Sequence, residues 1–103
     1  MSKWKMFFLP SVKEYEVTLF QTPHYGETHG YEAVYHLPIK AKNHRAALET
    51  VFRIFNVFDL LPPDFSARLV ATGDIVQISK GSNKSFYRLE SGGWRKIERS
   101  LVQ

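Results

Sequence analysis

Four histidines, His24, His29, His36 and His44, with Glu27 between the first two, are the side chains in this sequence best suited to hold a metal or move a proton. Zinc asks for three or four converging ligands, and short Cys/His spacings or an i,i+4 pair on a helix supply that convergence. These spacings do not: His24 and His29 fall among Pro23, Gly26 and Gly30, His36 belongs to a strand pattern, and His44 starts a helix pattern. The histidines therefore read as ordinary surface or core residues, with no metal site. The segment Gly26-Glu27-Thr28-His29-Gly30 lacks the glycine spacing that brings backbone amides onto a phosphate, and no nucleophile elbow or dinucleotide fingerprint occurs. Glu27 with His29 is the only local carboxylate–imidazole pair, whereas acid–base catalysis needs two groups in contrasting environments within a cleft. The expectation is a non-enzymatic protein with no catalytic residue and no cofactor.

A second constellation is basic and aromatic. Residues 1–79 balance eight Lys/Arg against eight Asp/Glu, so the whole net charge of +4 comes from Lys80, Lys84, Arg88, Arg95, Lys96 and Arg99 set against Glu90 and Glu98. Phe86, Tyr87 and Trp94 interleave with these cations. Single-stranded nucleic acid binds such surfaces because bases stack on aromatic rings, at about 1–3 kcal/mol each, while cations follow the backbone. Lys84, Phe86, Arg88, Trp94, Arg95, Lys96 and Arg99 are accordingly the candidate binding residues. On a strand, however, Phe86 and Arg88 share one face and Tyr87 and Leu89 the other, so at least one aromatic ring belongs to the core. Protein binding, by strand addition to a sheet edge or by aromatic anchors, is the leading expectation, and nucleic acid the alternative. Phe7, Phe8, Tyr25 and Tyr31 are further candidates for an exposed contact patch.

The elements that must position these residues follow from periodicity. Tyr15, Val17 and Leu19 alternate with Glu16 and Thr18, and Tyr31, Ala33, Tyr35 and Leu37 alternate with Glu32, Val34 and His36 until Pro38 closes the run; both read as strands, expected to pair antiparallel across a loop over 21–30. Asn43 is an N-cap candidate for a helix running to about Asn56, with Ala47, Leu48, Val51, Phe52 and Phe55 on its apolar face. Leu60-Leu61-Pro62-Pro63-Asp64-Phe65 must turn, because consecutive prolines remove donors and push the preceding residue out of the helix, and it should pack by Leu61 and Phe65. Period two returns in Asp74–Ser79, Ser85–Leu89 and Trp94–Glu98, separated by Gly81-Ser82-Asn83 and Gly92-Gly93, which makes a meander. Ser100 to Gln103 reads as a frayed end. The class is α+β: a small, mostly antiparallel sheet of about five strands in the order ββ-α-βββ, with one main amphipathic helix, about 43–56, packed on one face.

A chain of 103 residues with 44% hydrophobic and 15% aromatic content suits a single domain, 1–103. Zero Cys removes thiolate chemistry and fits a cytoplasmic protein. The opening Lys3, Lys5 and apolar Met6–Leu9 run is too short for a signal-peptide core and reads as a strand or ordered arm, and no run is long enough to cross a membrane.

The stretch from the helix onward resembles the YodL-like domain, a small module of bacterial plasmids, conjugative elements and phage-derived regions. The residues that carry the likeness are Phe55-Asn56 closing the helix, Pro63-Asp64-Phe65 in the turn, Gly73-Asp74-Ile75-Val76 opening a strand, then Phe86-Tyr87, Ser91-Gly92-Gly93-Trp94 and Ile97. The resemblance covers about residues 43–98. It implies a mobile-element context and no reaction.

Overall fold

A computed structural model describes residues 12–103. Two long strands come first, β1 over Lys13–Gln21 and β2 over Glu32–Ala41. Helix α1, His44–Ile54, leads through a single 3-10 turn at Phe58–Leu60 into an irregular stretch, after which β3 (Ile75–Lys80), β4 (Asn83–Glu90) and β5 (Gly93–Ile97) run as a meander. A last 3-10 turn spans Arg99–Leu101. All strand pairings are antiparallel, and the sheet order is β2-β1-β3-β4-β5, so the first strand lies beside the third in the interior of the sheet.

Alternation along each strand assigns the two faces. Tyr15, Val17 and Leu19 of β1 sit opposite Ile39, Leu37 and Tyr35 of β2, and Val17 and Leu19 sit opposite Ile78 and Val76 of β3. These residues form one apolar cluster with Ala47, Leu48, Val51 and Phe55 of α1. Each large apolar side chain buried in that way stabilises the fold by roughly 1.5–3 kcal/mol. The helix begins where Asn43 stands in extended backbone and its side-chain oxygen accepts from the Ala46 amide at 2.9 Å, satisfying one of the free donors of the first turn.

Four local expectations need correction. Phe52 is not a core residue but is exposed, because it lies at the flank of the face that buries Leu48, Val51 and Phe55. Strand β2 continues through Pro38 to Ala41; β2 is an edge strand, where a missing N–H can face outward without costing a ladder bond. The turn between β3 and β4 is only Gly81-Ser82, with Lys80 paired to Asn83 and a left-handed φ of 60° at Gly81, the backbone a two-residue hairpin with glycine first calls for. The end of the chain is tied down rather than frayed: the Gln103 carbonyl accepts from the amides of Gly30 at 2.6 Å and Tyr31 at 3.1 Å. Met6–Leu9, with Phe7 and Phe8, lies outside the described residues. No described helix is long and apolar enough to cross a membrane.

The irregular stretch between α1 and β3 is held at two points. Leu61 and Phe65 pack on the core as expected, with the Phe65 ring 4.8 Å from Phe55 and 5.5 Å from Tyr35, and the Tyr35 hydroxyl donates to Asp64 at 2.5 Å. At the other end, Asp74 is buried and accepts from Arg68 at 2.8 and 3.0 Å, from the Gln21 amide group at 3.0 Å and from the Ala71 backbone at 2.9 Å. Arg68 also donates to the Thr22 carbonyl at 3.2 Å, so one ion pair joins the end of β1 to the start of β3. Gly73, at φ 97°, turns its carbonyl to the Tyr31 hydroxyl at 2.6 Å and its amide to Leu89 at 2.7 Å. Tyr31 is thus a tie between loops, not an open contact ring, whereas Tyr25 is exposed.

Candidate functional site

Strand register divides the basic aromatic meander between the two faces of the sheet. Phe86 pairs with Ile97, Arg88 with Arg95 and Lys84 with Ser79, which puts Lys84, Phe86, Arg88 and Arg95 on the face away from α1. Tyr87 pairs with Lys96 and Leu89 with Trp94, which puts Tyr87, Trp94 and Lys96 on the helix side. A groove of about 670 Å³ runs along the open face and over the β5 end; Lys84, Phe86, Arg88, Arg95, Lys96 and Arg99 all contribute to its lining, together with Ile97, Glu98 and Leu101. Six of the seven predicted residues therefore meet there, and Trp94 does not.

The charges in this groove are incompletely compensated. Arg88 donates to Glu90 through Nε at 3.1 Å and through a terminal nitrogen at 3.0 Å. Arg95 reaches the same Glu90 oxygen only at 3.7 Å and is 68% exposed, so its guanidinium makes no hydrogen bond to it. Two guanidiniums facing each other across a strand pair repel, and they share a single carboxylate, Glu90. Lys84, Lys96 and Arg99 form no ion pair among the described residues. The aromatic component is not available on this face: Phe86 is only 6% exposed and forms part of the groove floor.

Trp94 lines a separate cavity of about 510 Å³ between the first turns of α1 and the β4–β5 hairpin, with His44, Arg45, Leu48, Glu49 and Tyr87. There His44 Nδ1 and the Tyr87 hydroxyl lie 2.6 Å apart, and the His44 ring stands edge-on to Tyr15 and Tyr87. Burial, then the charges of Lys96 and Lys13, hold the His44 imidazole below its ordinary value of 6.5. Burial also raises the Tyr87 phenol above 10.0. Both groups are neutral near pH 7, and the imidazole tautomer sets which of them donates in the bond they share.

The other histidines are dispersed. His36 bridges Thr18 at 2.9 Å and Glu16 at 2.8 Å across the β1–β2 pair, and the His24 amide donates to Glu27 at 2.9 Å in the connecting loop. No group of three or more His, Cys, Asp or Glu side chains suited to a metal occurs among the described residues.

One surface escaped the sequence reading. After α1 ends, the 3-10 turn carries Phe58 at 83% exposure, flanked by exposed Val57 and Leu60, with Phe52 exposed on the preceding helical turn. Phe58 lies beyond the expected helix end at about Asn56, in a stretch with no period to assign it a face, and the 3-10 turn holds it outward. The break is signalled by Asn56 and by Pro62-Pro63 downstream.

The family model described as "YodL-like domain" matches residues 9–99, and the chain belongs to that family. The match takes in β1 and β2 as well as the segment from 43 onward, in keeping with the interior place of β1. The chain is 48% identical over 90 residues to "Uncharacterized protein YodL" of Bacillus subtilis (strain 168), which covers 86% of each chain. No solved structure matches.

Proposed function

We propose that this chain is a non-catalytic interaction module of the cytoplasm that contacts a protein partner through the apolar knob of Val57, Phe58 and Leu60. The observation that carries the reading is the 83% exposure of Phe58. A large ring held in water by a well-formed turn contributes nothing to its own core, whereas rings of this kind act as anchors when a partner supplies a pocket. The titratable groups support a structural rather than a catalytic use: Asp74 is engaged by Arg68, Asp64 by Tyr35, His44 by Tyr87 and His36 by Glu16. Single-stranded nucleic acid is supported less well, since the basic face offers Phe86 only as a buried floor and holds neither Tyr87 nor Trp94.

The test compares the chain with its Phe58→Ser variant as baits in a Bacillus subtilis lysate, the organism of the relative. A protein retained by the first and lost by the second, at an unchanged unfolding midpoint, supports the reading. Identical captures, or none, overturn it.

A further inference from the structure

Among the described residues, the backbone of β5 has one unpaired side, and the bonding of β4 sets its direction. On β4 the Leu89 amide donates to Asp74 at 2.9 Å and the Leu89 carbonyl accepts from Gly73 at 2.7 Å, so both polar groups of Leu89 point toward the β3 side. In an antiparallel strand the two groups of one residue point the same way and neighbours alternate. Arg88 and Phe86 therefore face β5, and their partners Arg95 and Ile97 are the residues of β5 bonded inward. Trp94 and Lys96 are left with amide and carbonyl directed outward, and no described strand pairs with that edge.

Side chains on this edge are sorted as well. Arg95 lies on the open face, at the groove lined by Lys84, Arg88 and Arg99, and Trp94 and Lys96 lie on the helix side. The opposite edge of the sheet, β2, contains Pro38 and alternates less cleanly. A basic edge disfavours pairing with a second copy of itself, because like charges would be brought together, and the same repulsion becomes attraction for an acidic strand.

We infer that β5 is a docking edge for an extended acidic segment of a protein partner, which adds as a sixth strand with carboxylates on the open face against Arg95 and Arg99 and apolar side chains beside Trp94. The Arg88–Arg95 pair then has a role: both guanidiniums share Glu90, but only Arg88 is hydrogen-bonded to it, and Arg95, 3.7 Å from the same oxygen, keeps its N–H groups free to donate to the partner's carboxylate in the two-pronged geometry arginine favours. Main-chain bonds along the edge supply affinity and the alternating contacts supply selection. This rests on the view of the protein as an interaction module but on a different surface from Phe58.

The experiment uses the full labelled chain and, as probe, a short peptide alternating glutamate and valine. Amide resonances of Trp94 and Lys96 should shift and gain protection from hydrogen exchange. A peptide N-methylated at every second residue, unable to complete the ladder, should leave them unchanged. The double variant Arg95→Glu/Arg99→Glu should weaken binding by about tenfold or more. Shifts with mixed single-stranded DNA but not with the peptide would make the groove a nucleic-acid surface and overturn the proposal. Equal binding of the N-methylated peptide, or no binding at all, also overturns it, and neither result bears on Phe58→Ser.

Discussion

Arg68 holds both carboxylate oxygens of Asp74, at 2.8 and 3.0 Å, with the Asp74 side chain only 2% exposed. A buried ion pair adds little net stability over an apolar pair, but removing one partner strands the other charge. Arg68→Ala should therefore destabilise the fold by about 3 kcal/mol in urea unfolding, and the paired replacement Arg68→Met/Asp74→Leu should recover part of the loss. A loss under about 0.5 kcal/mol, the range of ordinary surface changes, would show that the tie is dispensable.

Phe55 and Phe58 should respond oppositely to truncation. Phe55 is fully buried between Tyr35 and Phe65, so Phe55→Ala should cost about 3–5 kcal/mol. Phe58→Ala should stay within about 0.5 kcal/mol of the parent. Chemical denaturation of both variants checks the contrast.

A depressed imidazole makes stability depend on pH in one direction. The folded His44 pKa lies below the ordinary 6.5 of the unfolded chain, so the unfolded state binds the proton first. The His44 contribution is fully present above 6.5 and is lost as pH falls through the folded value. The groups facing it are Tyr15, Tyr87, Lys96 and Lys13. Unfolding midpoints measured from neutral to mildly acidic pH should fall more steeply for the parent than for His44→Gln; parallel curves would refute this.

Asp64 should control the Tyr35 phenol. The hydrogen bond to Asp64, followed by burial, raises the Tyr35 pKa above 10.0, because the bond favours the protonated form. Asp64→Asn should move the Tyr35 titration down toward 10.0 in absorbance measurements, and an unshifted curve would mean the bond does not persist in solution.

Tail attachment is testable by exchange. Shortening the chain before Val102 removes the Gln103 carbonyl from Gly30 and Tyr31, and those two amides should then exchange faster while those of β1 stay protected. Unchanged exchange at Gly30 would show that the tail does not guard the loop.

Much of the framework was legible because it depends on local periodicity: Asn43 marks the helix start, and alternation finds each of the five described strands. The candidate surface was legible only as composition. Lys84 to Arg99 reads as one basic aromatic patch, but the pairing Arg88 with Arg95 and Tyr87 with Lys96 separates it into two faces, and register is a property of two strands together. The Arg68–Asp74 tie was hidden for a different reason, since Arg68 sits in an aperiodic stretch that gives its side chain no predictable direction, and Thr22, which it also contacts, comes from a distant segment. Phe58 was missed because it falls between the helix and the proline turn, where no periodicity assigns a face.

The position of β1 between β2 and β3 also sets how the chain must assemble. Phe20 pairs with Ile75, about 55 residues away, whereas the β3–β4–β5 meander and the β1–β2 pair each close over short connections. Such non-local pairing slows folding because loop-closure entropy is lost before the contacts that offset it are made. Two separately formed hairpin units joined late, across the β1–β3 seam, are the kinetic signature this topology predicts.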